Sequence, residues 1–165
     1  MTDGDSTALL RHFLAALAYR TQKALRGAPD DFATFDPGNK VRTPKDLVRH
    51  MSSVLGYART FFRGGSYRAE PLPTFADEIR RFHALLADLD DHLARGDRLE
   101  VTPEQLLQGP FSDAMTHAGQ LAMLRRLHGS PVAPENFVFA DVDPARLGSE
   151  QPEPRMPDAD WPERL

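Results

Sequence analysis

The stretch that decides the fold is TPKDLVRHMSSVLGYARTFF, residues 43–62. Thr43 is a preferred N-cap residue, Pro44 suits the first helical position, and Asp46 places a negative charge in the first turn, where it favours the helix dipole. Apolar residues then recur at intervals of three and four, which is the spacing of one face of an α-helix. They are Leu47, Val48, Met51, Val54, Leu55, Ala58, Phe61 and Phe62. The pattern predicts an amphipathic helix that ends at Gly64-Gly65.

Three further segments have the same periodicity and their own start and stop signals. Their predicted limits are about Ser6 to Leu25, Thr74 to Gly96, and Ser112 to Gly129. Either Ser6 or Thr7 is expected to cap the first of these helices. A short turn is expected at 102–107, before the helix-breaking pair Gly109-Pro110. Four amphipathic helices predict an all-α protein, a four-helix bundle over residues 1–130.

The apolar stripes of these helices define the expected core. In the first helix the stripe consists of Leu9, Leu10, Phe13, Leu14 and Leu17, and in the last helix it consists of Leu121, Leu124 and Leu127. In the third helix it consists of Phe75, Ile79, Phe82, Leu86, Leu89 and Leu93. Each stripe is expected to face the interior of the bundle.

The C-terminal segment, residues 131–165, differs in composition from the rest of the chain. Seven of the fourteen prolines lie beyond Gly129, so a long helix is excluded here. The segment still carries apolar residues, namely Val132, Phe137, Val138, Phe139, Leu147 and Trp161. A wholly disordered tail rarely keeps so many apolar groups. We therefore expect an irregular, proline-rich arm packed on the bundle, with a short extended piece at 137–142.

The bulk composition limits the class of protein. Of the 165 residues, 41% are hydrophobic and 27% are charged, which is ordinary for a globular domain. The formal charge of −4 argues against a general affinity for nucleic acid. Because there is no cysteine, any metal site must use nitrogen and oxygen ligands. No apolar stretch is long enough to cross a membrane and the first residues lack the pattern of an export signal, so a cytoplasmic protein is expected.

A carboxylate and an imidazole lie four residues apart in the last predicted helix. Asp113 and His117 therefore lie one above the other on a helix face that becomes apolar further along. His50 shares its own helix face with Leu47 and Val54, so it is expected to point into the bundle. Burying these polar groups without partners is costly, so a divalent cation or a direct hydrogen bond between Asp113 and His50 should compensate them.

Several of these residues also have a purely structural explanation. An inward histidine is often a hydrogen-bonded core residue, and a carboxylate in the first turn of a helix interacts favourably with the free amides without any metal. Gln120 is a candidate for orienting a metal ligand, Tyr57 for lining the cavity, and Gly119 for letting another backbone approach closely. The histidines His83 and His92 lie among charged residues, a pattern typical of a solvated helix face.

The order of these segments resembles the DinB/YfiT-like superfamily. The resemblance depends on a helix reading Leu47-Val-Arg-His50-Met and a late helix that contains His117-Ala-Gly-Gln120, and it spans roughly Leu9 to Val132. Members of this superfamily are four-helix bundles that typically bind a divalent metal through three histidines. The resemblance implies that His50 and His117 are metal ligands. The third ligand position falls on Asp113, where the family usually has histidine.

The resemblance also implies a range of functions. Two histidines and one carboxylate suit iron, manganese or zinc and are less suited to nickel than three histidines. The implied reactions are thiol-dependent transfer or isomerisation, with a low-molecular-weight thiol as cosubstrate, and hydrolysis. We therefore predict a metal-dependent transferase or hydrolase acting on a small-molecule substrate, as a homodimer without nucleic-acid or membrane partners. The alternative is a non-catalytic bundle or small-molecule-binding module, in which His50, Asp113 and His117 form a structural hydrogen-bond network.

Overall fold

A computed structural model describes residues 3–157, whose regular secondary structure is all-helical. The helices are α1 (Asp3–Leu25), α2 (Pro44–Arg63), α3 (Phe75–Arg95), α4 (Pro103–Leu106) and α5 (Ser112–Leu127). Asp30–Thr34 and Phe137–Phe139 form 3₁₀ turns, and Leu107–Phe111 forms a π turn. Within residues 3–157 the only extended pairing is an isolated antiparallel bridge between Glu135 and Pro157. The prediction of an all-α protein with four long helices is confirmed.

The predicted caps of α2 and α3 form as hydrogen bonds. The Thr43 hydroxyl oxygen accepts a hydrogen bond from the Asp46 amide at 3.2 Å. Thr74 accepts from the Asp77 amide at 3.1 Å, and the Asp77 carboxylate accepts in return from the Thr74 amide at 3.2 Å. Gly64, with a φ of 71°, ends α2 in a conformation that disfavours other residues. Local sequence therefore fixes the limits of both helices.

The N-terminal cap predicted for α1 is wrong. Because α1 begins at Asp3, Ser6 lies inside the helix, where it is buried, and Thr7 follows it. Asp5 lies in the first turn, where the helix dipole favours a negative charge. The helix starts about one turn before the predicted start at Ser6.

Most of the predicted stripe residues are buried or partly buried, and two are exposed. Leu10, Leu14 and Leu121 are at most 3% exposed, whereas Leu9 is 50% exposed and Leu127 is 61% exposed. Leu9 is adjacent to Leu10, and neighbouring helical residues point about 100° apart. Steps of three residues drift by about 60° each, so Leu127 has rotated away from the face of Leu121. The predicted stripes were therefore too wide at these two positions.

The directions of the helices follow from contacts between their ends. Phe13 stacks on Phe111 with ring centroids 6.1 Å apart, and the Arg125 guanidinium donates to the carbonyl of Ala24 at 3.0 Å. Thus α1 and α5 run in the same direction. The Lys45 ammonium donates to the carbonyl of Pro73 at 2.7 Å, and Arg63 pairs with Asp88 at 2.7 Å. Thus α2 and α3 also run in the same direction.

The connection 64–74 must return along α2 for α3 to run parallel to it. The Ala69 amide donates to the Ser53 hydroxyl at 3.1 Å, halfway along α2. Gly56 lies under the Tyr67 ring, because a Cβ at this position would lie 1.9 Å from Tyr67 Cδ1. The absence of a side chain at Gly56 therefore allows the connection to lie close against α2.

The C-terminal segment, as far as Pro157, packs on α1 and α3. The Tyr19 hydroxyl donates to Glu135 at 2.7 Å, and the Arg20 guanidinium lies 3.9 Å above the ring of Phe137. His83 Nδ1 lies 2.7 Å from the carbonyl of Leu147. The short extended piece predicted at 137–142 is wrong at its start, because Phe137–Phe139 form a 3₁₀ turn capped by the Asn136 side chain. Trp161 lies outside the described residues.

Candidate metal centre

The N-terminal half of α2 faces the N-terminal half of α5. His50 lies against His117, while Tyr57, two turns later on α2, lies beside Pro110. These two helices are therefore antiparallel. The side chains of His50, Asp113 and His117 meet at their interface, with one ligand atom from each within 4.8 Å of the others. This group could hold a metal ion, and residues 3–157 contain no other cluster of three such side chains at this spacing.

A kinked turn directly before α5 positions Asp113 at the site. Gly109 leaves helical geometry, with φ −90° and ψ −107°, and Pro110 follows in the π turn. The Ser112 hydroxyl donates to the carbonyl of Leu107 at 2.7 Å, which closes the turn against the start of α5. Asp113 accepts no hydrogen bond from a backbone amide in the part of the chain that the structure describes. Asp113 nevertheless lies in the first turn of α5, where its charge interacts favourably with the helix dipole without such a bond.

His117 has one satisfied ring nitrogen and one that lacks a partner. Its side chain is buried, and Gln120 Oε1 lies 2.8 Å from Nδ1; in the neutral tautomer whose Nδ1–H donates to Oε1, Nε2 carries the lone pair. Nε2 is fully buried without a hydrogen bond, although Asp113 Oδ1 lies 3.3 Å away. Two acceptors therefore face each other. A cation or a proton between them would relieve this arrangement.

His50 presents its ring edge-on to His117, with ring centroids 4.8 Å apart and planes at 76°. Its pKa is lowered from the usual value, chiefly by burial and then by the positive charge of Arg42 and by His117, while Asp113 acts in the opposite direction. A lowered pKa keeps the imidazole neutral at pH 7, and a neutral imidazole is the form that binds metals. The electrostatic environment of His50 therefore suits a ligand.

Two cavities open beside His50. One, of about 570 Å³, runs past Asp113 to Val54, Tyr57 and Pro110. The other, of about 320 Å³, lies toward the start of α2, and His50 and Ser53 line both. Asp113 is half exposed on the larger cavity. A small molecule can therefore approach His50 and Asp113 from solvent, whereas the buried His117 lines neither cavity.

The prediction for Gly119 is wrong. A Cβ at this position would meet nothing within 4 Å, so no backbone approaches it. Gly119 instead lines a cavity of about 450 Å³ between α1, α5 and the C-terminal segment.

The solvated face predicted for α3 is also wrong at two histidines. His83 and His92 are only 7% and 5% exposed. The C-terminal segment covers His83, whereas the ring of His92 stacks on Phe62 and its Nε2 accepts a hydrogen bond from Arg63 at 2.7 Å. Charged neighbours in sequence did not reveal this, because α2 and the C-terminal segment cover that face only in the folded chain. Neither histidine joins the candidate site.

Sequence reasoning also missed a group of arginines near His50. Arg42, Arg49 and Arg68 line the smaller cavity. The closeness of Arg42 and Arg49 to the capped start of α2 was a signal that both lie near that end of the helix. No signal in sequence could have placed Arg68 there, because it lies on the connection that returns along α2.

No protein-family model, curated protein or solved structure matches this chain significantly. In the part of the chain described here, no helix combines the length and apolar character needed to cross a lipid bilayer.

Proposed function

We propose that the protein is a metal-dependent enzyme of the DinB-like type, a four-helix bundle that binds a divalent cation through His50, Asp113 and His117. The observation that carries the proposal is the buried, unpartnered Nε2 of His117 beside a carboxylate and a second imidazole. The sequence resemblance supports the same three positions. The fold supports it further, because two helices far apart in sequence bring the three residues together.

The three side chains fit a divalent cation in reach and in chemistry. Ligand atoms that are about 2.1 Å from one zinc ion lie roughly 3–3.5 Å from one another. Asp113 Oδ1 and His117 Nε2, 3.3 Å apart, already have this spacing. The limit of 4.8 Å over all three ligand atoms leaves at most about 1.3–1.8 Å for side-chain rotation to close. Two imidazole nitrogens and one carboxylate oxygen suit zinc, iron or manganese, with nickel less favoured.

When bound, a divalent cation supplies Lewis acidity, which lowers the pKa of a thiol or water and orients it beside an electrophile. The residues of the chain have separate tasks in this proposal. Gln120 holds the His117 ring in the tautomer whose Nε2 faces the site. The larger cavity, with Tyr57 and Val54, accommodates the small-molecule substrate. A thiol cosubstrate must come from outside, because the chain has no cysteine.

Metal analysis of protein purified without an affinity tag tests the ligand set. After dialysis against zinc and removal of the excess, we expect about one equivalent in the wild type and less than about a tenth of an equivalent in His117→Ala, because a two-ligand site binds weakly. His12→Ala is the matched control, because His12 is exposed on α1. Equal metal content in the wild type and in His117→Ala would reject the proposed ligand set.

A catalytic assay tests the reaction class. The zinc-loaded protein is mixed with 2-mercaptoethanol and 1-chloro-2,4-dinitrobenzene, and the rate of thioether formation is followed by absorbance. We expect a metal-dependent rate above background that is lost in His117→Ala and retained in His12→Ala. Metal binding without any such rate would limit the proposal to metal binding and leave hydrolysis as the next reaction to assay.

One observation favours the non-catalytic alternative. Asp113 Oδ1 lies 3.3 Å from His117 Nε2, so a doubly protonated His117 would donate to both Asp113 and Gln120. In that case His117→Ala would lower the melting temperature without any change in metal content. Measuring both quantities on the same preparations separates the two functions.

We also propose a cytoplasmic homodimer. Met123 and Leu127 are more than 60% exposed and lie four residues apart on α5, so they form an apolar strip that a second copy could cover. Sedimentation equilibrium tests this, with Met123→Glu expected to favour the monomer.

A further inference from the structure

Three guanidinium groups surround the smaller cavity beside His50. The cavity has a volume of about 320 Å³, and Arg42, Arg49 and Arg68 line it. Because His50 and Ser53 also line the larger cavity, the two cavities open on the same stretch of α2. A molecule lying along this stretch would therefore contact the arginines together with two of the candidate metal ligands, His50 and Asp113.

The walls of this arginine cavity are held in place by hydrogen bonds. Ala69 is buried, and its amide donates to the Ser53 hydroxyl at 3.1 Å, which fixes the connection that carries Arg68 against α2. Arg42 follows a tight turn in which the Val41 amide donates to the Gly38 carbonyl at 3.0 Å. The two central residues of that turn, Asn39 and Lys40, have φ values of 52° and 61°. A positive φ is unfavourable for lysine, so the backbone conformation of this turn before α2 costs conformational free energy.

The positive charges of this cavity are only partly compensated. Arg49 pairs with Asp46 at 3.1 Å. Among the described residues, Arg42 and Arg68 form no ion pair with a carboxylate. Glu70 is the second acidic residue of the lining, and it is exposed at the rim. Three guanidinium groups therefore face two carboxylates, one of which is already paired.

We propose that the arginine cavity binds an anionic group of the substrate whose reacting atom lies at the His50–Asp113–His117 site. This inference rests on the proposed function and names its substrate class, a small molecule with a carboxylate or a tetrahedral anionic group at one end. A guanidinium presents parallel N–H donors that match both kinds of anion. The apolar wall of the larger cavity, at Val54 and Tyr57, receives the uncharged remainder.

The first test uses the metal-free protein, so that it does not depend on metal binding. The ¹⁵N-labelled protein is titrated with propionate, with methanesulfonate and with the uncharged propionamide, and amide shifts are recorded. We expect saturable shifts at the amides of residues 42–43, 45–53 and 68–70 for the anions only, and dissociation constants at least about tenfold weaker in the double variant Arg42→Gln/Arg68→Gln. Comparing the two anions shows whether a planar or a tetrahedral group binds more tightly.

Arg98→Gln is the matched control for the loss of positive charge. Arg98 is exposed just beyond α3, at the end of the fold opposite to Arg42, and α2 between them is about 30 Å long. The control should bind propionate like the wild type. Equal shifts with propionamide, or an unchanged dissociation constant in the double variant, would overturn the proposal.

The second test separates this inference from the proposed function. Cobalt(II) is added to the protein, and 3-mercaptopropionate and 2-mercaptoethanol are titrated while the thiolate-to-cobalt absorption band is recorded. We expect the anionic thiol to bind about tenfold more tightly, and the double variant to remove this preference. If cobalt does not bind, the proposed function fails and the propionate titration alone decides whether the cavity is an anion site. If cobalt binds and both thiols bind equally, only the inference about the substrate fails.

Discussion

Metal binding at His50, Asp113 and His117 should stabilise the protein against heat by an amount that can be calculated. A cation at 100 times its dissociation constant adds about 2.7 kcal/mol to the free energy of unfolding if it binds only the folded state. For a chain of 165 residues, each kcal/mol corresponds to roughly 2–4 °C in Tm. We therefore expect zinc to raise Tm by roughly 5–10 °C, measured by differential scanning calorimetry.

The pH dependence of this shift provides a second check. Protons compete with the cation for the imidazole nitrogens, so the zinc-dependent shift should be complete above pH 7 and decline as the pH falls below about 6.5. Because the pKa of His50 is lowered by burial and by Arg42, His50 itself stays available to lower pH than an ordinary histidine. His12→Ala should show the full zinc shift and His117→Ala almost none. A zinc shift of the same size in His117→Ala would refute the reasoning.

Three other predictions concern the stability of the metal-free protein. Gly119→Ala should raise the free energy of unfolding in urea by about 0.5–1 kcal/mol, because Gly119 lies within α5 and a Cβ there meets nothing within 4 Å; a decrease would contradict this. Arg125→Met should lower the free energy of unfolding by about 2–4 kcal/mol, because the buried guanidinium donates to carbonyls at the C-terminal end of α1. Arg98 is exposed, so Arg98→Met should change the free energy of unfolding little. Burial lowers the pKa of both His50 and His83, so these imidazoles bind a proton less readily in the folded state than in the unfolded state. The free energy of unfolding should therefore decrease as the pH falls from about 6.5 toward 5. His83→Gln should reduce this dependence of the free energy of unfolding on pH.

Much of the fold is determined by residues close together in sequence. Thr43 and Thr74 accept hydrogen bonds from amides three residues ahead, and Gly64 adopts a positive φ, so these helix ends follow from local chemistry. The pairing of Asp113 with His117 is equally local, because four residues make about one helical turn. The sequence did not predict the start of α1 or the exposure of Leu9, since both depend on how far the buried face of α1 extends.

The tertiary structure alone decides where the helices lie relative to one another. His50 and His117 are 67 positions apart, and only the antiparallel packing of α2 on α5 brings their rings within 4.8 Å of each other. The burial of His83 likewise depends on Leu147, a distant residue of the C-terminal segment. The arginine cavity depends on the connection that returns along α2 and brings Arg68 beside the helix that carries Arg49.

The sequence by itself determined which segments are helical, where most of them end, and which residues could serve as metal ligands. Those properties depend on backbone hydrogen bonds and on side-chain spacing within one or two turns. The tertiary structure decided which histidines are buried, which candidate ligands meet, and which charges surround them. These properties depend on burial and on long-range contacts, because the cost of desolvating a polar group is set by whatever distant segment covers it.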